Sequence, residues 1–310
     1  MDVRTAPVEA CLDVPPWVER GVLVYGPRKA GTTLFQNLLD GGDQVFVYPQ
    51  ELKVKWFIHR PERGRDIEEY IWRSRISRVD SPHFSQDRYR EIWAEARKRR
   101  TLQGLADFIR YDAQAVFASC TNAPAGVEMW CAKEVGGPTM QILETWRAMF
   151  PGSKALFITR DPLMATRATL NHRRRMGARL TLRQIAFQTY DPMRVVTAQA
   201  RLLADSDIFL IAYEDLVADT AGVMAGVADF LGVSSTPKFE APTIFSEPVV
   251  VRTSSRQTTK VFQPATSWRD GLTLREQCTV AVVRAFASFL PRFNVNYPAL
   301  RQRLRRRSPA

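Results

Sequence analysis

The sequence predicts an α/β fold, and three observations carry that reading. Apolar runs with the length and branching of buried strands begin at Val22, Val45, Ala155 and Ile208. Between them the apolar residues repeat at helical spacing, as in Leu34 with Leu38, Phe35 with Leu39, and Val223 with Val227. The first strand also leads through a glycine-bounded loop directly into a helix start, as expected where strands and helices form stacked layers. At 310 residues and 45% hydrophobic, the chain can bury a large core and reads as one domain over 1–310.

Composition narrows the function. No run approaches the roughly 18 apolar residues of a membrane span, and the acidic, proline-bearing start is unlike a signal peptide, so a cytoplasmic protein is expected. Cys11, Cys120, Cys131 and Cys278 are scattered without metal-ligand spacing, which implies reduced thiols and no metal. A net charge of +12 suits polyanionic partners: a nucleotide cosubstrate, an acidic glycan, a membrane surface or nucleic acid. No nucleic-acid reader motif accompanies the charge. The arginine clusters at 97–100, at 173–175 and in the basic tail 300–310 read as solvated faces or frayed ends.

The stretch Val22 to Leu39 is an anion cradle. Gly31 lets backbone approach a ligand closely, and the free amides at Ala30 to Thr33 point at whatever anion sits there. The Thr32 and Thr33 hydroxyls and the Arg28 and Lys29 cations add donors. Gly26 and Gly31 have the spacing of a Walker A loop, but Thr32-Thr33 stands where that motif needs lysine and a hydroxyl residue. A kinase using ATP and Mg²⁺ is the alternative enzyme class, disfavoured by that missing lysine.

With its basic residue at Lys29 and its Gly-Thr-Thr run, the loop resembles the 5′-phosphosulfate loop of sulfotransferases that use 3′-phosphoadenosine 5′-phosphosulfate (PAPS). The resemblance implies a P-loop-NTPase-like fold: a central parallel sheet flanked by helices, with a helical insert. It assigns Arg28, Lys29, Ala30, Gly31, Thr32 and Thr33 to the cosubstrate.

Further along, Val45 to Tyr48 reads as a short second strand, and Pro49-Gln50-Glu51-Leu52-Lys53-Val54-Lys55 follows it. Members of the family place their catalytic base here, which makes Glu51 the candidate acceptor of a hydroxyl proton. A surface carboxylate in a charged loop is the plainer reading. His59 is a reserve base. Residues 60–126, charged and rich in interleaved aromatics, read as a helical insert, either an acceptor lid or a layer covering the sheet. Trp130-Cys131-Ala132-Lys133-Glu134 resembles a lysine-bearing element of bacterial members, and Met140, Leu143, Trp146 and Phe150 follow at core-facing helical spacing.

The strand from Ala155 ends in Arg160-Asp161-Pro162. In the family this place supplies an arginine to the 3′-phosphate, which a guanidinium binds through two hydrogen bonds. A serine eight residues later completes that subsite in relatives. This chain has Ala168 there, which makes Thr169 the substitute candidate. As a competing reading, Asp161 would be a Walker B carboxylate on Mg²⁺. The run Asp207 to Leu216 reads as a strand ending in Tyr213-Glu214-Asp215-Leu216, and the resemblance sets Tyr213 beside the adenine; alone, it reads as core. The loop after Val251 supplies Ser255, Arg256 and Lys260 as phosphate candidates, without the family's Arg-Lys-Gly triplet, before a helix capped near Thr273.

The resemblance implies a PAPS-dependent sulfotransferase that moves the sulfuryl group to a hydroxyl or amine of a small-molecule or carbohydrate acceptor by in-line displacement. A catalytically inactive relative that binds nucleotides or glycans is the reading from outside the enzymes.

Overall fold

The strands of the central sheet are β1 (Gly21–Gly26), β2 (Val45–Glu51), β3 (Met129–Val135), β4 (Ala155–Thr159) and β5 (Ile208–Ala212). They are all parallel and lie in the spatial order β2, β3, β1, β4, β5. The computed structural model describes residues 14–59, 79, 81–99, 104–249, 251–252, 257–258 and 267–306. Every residue of β1 is buried, as a parallel strand covered on both faces must be.

The two faces carry different layers. Val22 and Val24 pack with Phe35, Leu38 and Leu39 of α1 (Thr32–Leu39) and with Val227 and Leu231 of α9 (Thr220–Leu231). Leu23 and Tyr25 point the other way, into Trp130, Trp146 and Phe157. Both buried indoles reach a backbone carbonyl, Trp130 Nε1 donating to Val18 O at 2.7 Å and Trp146 Nε1 to Gly21 O at 3.2 Å. Neither buries an unpaired donor.

After β2 comes α2 (Val54–His59). The described part of the insert holds α3 (Gln86–Arg99) and α4 (Leu105–Ala118). Tyr89, Ile92 and Trp93 of α3 share the core with Phe108 and Ile109 of α4. Asp112, 1% exposed, accepts from Tyr48 and Tyr89 hydroxyls at 2.5 Å each, which ties the insert to β2. These helices cover the sheet; residues 60–78 of the insert lie outside the described residues.

The remaining helices are α5 (Thr139–Met149), which shares the core of α3 and α4 through Trp146, and α6 (Pro162–Arg175), α7 (Leu182–Arg201), α8 (Tyr213–Ala218), α10 (Leu274–Ala287) and α11 (Tyr297–Arg305). The helix stops follow the sequence: Gly232 ends α9 in a left-handed C-cap with φ 77°, and Thr273 opens α10 in a capping box with Glu276.

Two expectations need correcting. Met140 is 44% exposed, whereas Leu143, Trp146 and Phe150 are buried. It sits on the outer turn of α5, one residue off the stripe that faces the sheet. The strand beginning near Asp207 stops at Ala212, and Tyr213 opens a helix, because the Glu-Asp pair favours a helix's first turn. The lysine-bearing element is β3, which pairs with both β1 and β2.

Candidate active site

The ends of β1, β3 and β4 meet around the loop from Pro27 to Gly31. Two of its residues take left-handed backbone, Lys29 at φ 61° and Gly31 at φ 99°. A Cβ at Gly31 would stand 2.5 Å from Tyr213 Cδ2, so the glycine is required on conformation and on space. Ala30 and Thr32 are buried, while Arg28, Lys29 and Thr33 are exposed at the cleft. Lys29 is pulled below the ordinary lysine range by desolvation first and then by Arg175 and Arg28. Burial likewise lowers His172, with Lys29, Arg175 and Arg173 adding to it. The last turns of α6 therefore bring cations to the loop, a contribution hidden in a run that reads as a solvated face.

Arg160, at the end of β4, is 7% exposed. Its Nη1 donates to Lys29 O at 2.8 Å, its guanidinium lies 4.3 Å from the Tyr213 ring centroid, and its Nε has no partner among the described residues. Burial lowers its pKa against the opposing pull of Tyr213 and Glu214. A buried guanidinium with an unmet donor is in place for an anion. Glu214 supports the arrangement, accepting from Asp161 N at 3.2 Å and from the Tyr297 hydroxyl. Asp161 caps α6, accepting from Leu163 N at 2.9 Å and Met164 N at 3.1 Å, which gives it a structural role other than the Walker B one.

Thr169 is buried, and its hydroxyl donates to Ala165 O at 2.9 Å along α6; Ala168 beside it is buried too. Ser255, Arg256 and Lys260 lie outside the described residues.

Glu51 closes β2 opposite Lys133 of β3. One lysine bridges two carboxylates there: Lys55 Nζ lies 2.7 Å from Glu51 Oε1 and 3.0 Å from Glu134 Oε1, and it donates to Val135 O at 2.6 Å. Glu134 is fully buried. Burial works against the charge on Lys55, but Glu134 and Glu51 outweigh it and raise its pKa. His59 is the last residue of α2, at the end remote from Glu51.

The Gly136-Gly137 turn joins the cradle to this cluster. A Cβ on Gly136 would come within 3.5 Å of Arg28 Cγ, and one on Gly137 within 3.5 Å of Lys55 Cδ. The ends of β2 and β1 are two strand spacings apart, roughly 10 Å, because β3 lies between them. That gap separates the Glu51 carboxylate from the loop. Sequence reasoning missed Glu134 and the paired glycines, whose roles appear once β2 and β3 are in register.

Lys133 is 9% exposed, and burial pushes it down to about 8, opposed by Glu51. The unfolded chain therefore holds this proton to higher pH than the folded one, and stability rises with pH between about 8 and the ordinary lysine value. Comparing the parent with Lys133→Met by denaturant unfolding at pH 7 and pH 9.5 should show a gain of about 2 kcal/mol in the parent that the variant lacks.

The sequence matches, over residues 21–237, a family model described as the Sulfotransferase family. Solved structures with similar chains include a sulfotransferase domain from the curacin biosynthetic pathway, with 18% identity over 85% of this chain and 96% of that one at a TM-score of 0.44. The sulfotransferase domain of a Synechococcus olefin synthase shows 17% identity over 86% and 94%, at 0.46. A retinol dehydratase complexed with androsterone and the inactive cofactor PAP shows 14% over 94% and 88%, at 0.45. No curated protein matches the sequence.

Proposed function

Since the chain belongs to the sulfotransferase family, we propose that it moves a sulfuryl group from PAPS to a hydroxyl or amine of a small-molecule or carbohydrate acceptor. The observation that carries this reading is the join between Arg160 and the loop: one buried guanidinium with an unmet Nε touches the carbonyl of Lys29 and the face of Tyr213. Two anion-binding elements so joined, beside an aromatic face, match a nucleotide that carries phosphate at both its 5′ and 3′ positions.

PAPS would supply the activated sulfuryl group, and this chain's residues divide the work around it. Ala30 N donates to Pro27 O at 3.1 Å within the loop, so the amides at 31–33 with Arg28 and Lys29 hold the 5′ end, and Arg160 holds the 3′-phosphate. Thr169 enters that subsite on turning its hydroxyl away from Ala165 O. Ser255, Arg256 and Lys260 are the further phosphate candidates. Tyr213 gives the base a surface. Glu51 accepts the proton that the acceptor loses as its oxygen or nitrogen forms the bond to sulfur and the bond from sulfur to the 5′-phosphate oxygen breaks. Lys55 holds Glu51 in place as that proton arrives. Charge growing on the leaving oxygen meets Lys29 and the preorganised amides. His59 is the reserve base. The buried thiols of Cys120 and Cys131 suit a reducing, cytoplasmic setting.

Thermal shift with 3′-phosphoadenosine 5′-phosphate (PAP) and no metal, set beside ATP with Mg²⁺, tests the reading. Stabilisation by PAP that disappears in Arg160→Ala is the expected result. Stabilisation by ATP with Mg²⁺ alone would overturn it in favour of a kinase. Glu51→Gln should keep the PAP response and lose about 10² to 10⁴ in turnover. Unchanged turnover in that variant would remove Glu51 as the base and turn the same assay to His59, while PAP binding with no turnover on any acceptor in the parent would mark an inactive relative.

A further inference from the structure

Of the eight large hydrophobic side chains exposed among the described residues, all but Met140 lie along the outer side of one helical layer. Leu274, Val282 and Phe286 of α10 are 77%, 68% and 68% exposed, and Phe289 just beyond it is 83% exposed. Met176, Leu182 and Phe187 belong to the end of α6 and the start of α7. The inner side of this layer is well packed, with Leu170, Ile185, Leu272 and Val280 forming a shared core. Arg174 ties α6 to α10 through Glu276 and Gly271 O. Two kinds of surface therefore lie back to back on α10. Glu276, Val280 and Ala287 face inward, and Leu274, Cys278, Ala281, Val282, Ala285 and Phe286 face outward.

The charges beside this apolar face are predominantly positive. Arg275 and Arg284 flank it on α10. Residues 172–187 hold five arginines and no carboxylate. Between residues 267 and 306 the only acids are Asp270 and Glu276, and Glu276 is buried against Arg174. On the same layer an open cleft of about 580 Å³ is lined by Arg173, Arg183 and Phe187 with Thr181, Gln184 and Gln188. Two guanidiniums beside an aromatic ring suit the phosphate of an amphiphile whose tail meets apolar side chains. No described helix is long and apolar enough to cross a membrane, so contact would be made from the surface.

We propose that this layer docks on an anionic lipid surface, with the outward face of α10 entering the interface and the arginines of α7 and α10 contacting phosphate headgroups. An apolar stripe bordered mainly by cations, with Asp270 the one exposed carboxylate between residues 267 and 306, binds such surfaces through buried apolar area and attraction to anionic lipid together. The inference stands apart from the sulfotransfer reading, since binding to lipid requires no turnover.

Cosedimentation of the full chain with vesicles of phosphatidylcholine alone, or mixed with phosphatidylglycerol, tests it at low and high salt. The expected result is binding to the mixed vesicles, weakened by salt, with little binding to phosphatidylcholine. Phe286→Ser with Phe289→Ser should weaken binding about tenfold or more. Arg275→Gln and Arg284→Gln should each weaken it about fivefold. All four positions are exposed, and circular dichroism melting would verify that the variants fold. Absence of binding to mixed vesicles, or undiminished binding by the folded phenylalanine pair, overturns the proposal. Light scattering that shows a dimer broken by that pair, in a protein that ignores vesicles, would assign the face to a second copy of the chain instead.

Discussion

Lys29→Ala should lower turnover at saturating PAPS by about a hundredfold or more while leaving the fold intact. The side chain is exposed at the cleft, so its removal opens no cavity, and the carbonyl that Arg160 grips belongs to the backbone and stays. What disappears is the ammonium nearest the leaving oxygen in the proposed reaction. Its electrostatics give the prediction a second readout. Desolvation, Arg175 and Arg28 all press Lys29 towards its neutral form, and a bound anion presses the other way. PAP binding should therefore weaken as pH rises through the lowered pKa of Lys29, and this pH dependence should flatten in Lys29→Ala. Normal turnover in the variant would sink the leaving-group assignment.

Gly31→Ala is expected to be the more damaging substitution. An alanine at φ 99° is strained whatever surrounds it, and its Cβ would stand 2.5 Å from one atom of the Tyr213 ring and 2.8 Å from another. Strain and crowding together should cost about 3 kcal/mol of stability. Because Tyr213 also carries the Arg160 guanidinium, any shift that relieves the crowding moves the arginine as well. Loss of PAP stabilisation should accompany the loss of fold stability, measured by thermal shift and denaturant unfolding. Adding Tyr213→Ala should recover the crowding part and leave the backbone strain. A Gly31→Ala protein with parental stability and PAP response would show that Tyr213 does not fix the loop.

Much of this was legible from local signals. The cradle is continuous in sequence, so strand, glycine and helix start announce one another. Arg160 follows a buried strand, and the caps at Gly232 and Thr273 are written in single residues. The cluster around Lys55 was less accessible, because Glu51, Lys55 and Glu134 meet only when β2 and β3 align, and that pairing joins segments far apart in the chain. β3 itself was obscured by Lys133 and Glu134, two charges in a strand buried on both faces. Tyr213 was placed correctly along the chain but in the wrong element, since an aromatic residue fits the end of a strand as well as the first turn of a helix.

The order of the strands governs how the chain can assemble. β1 pairs with no neighbour in sequence: its partners are β3, beginning at Met129, and β4, beginning at Ala155. During synthesis the first strand emerges with both edges bare and waits for about a third of the polypeptide before either is covered. Long-range pairing of this kind slows folding and lengthens the life of aggregation-prone intermediates. Fragments ending before Met129 should gather in insoluble form, whereas those extending past Thr159 hold the three strands that enclose the loop.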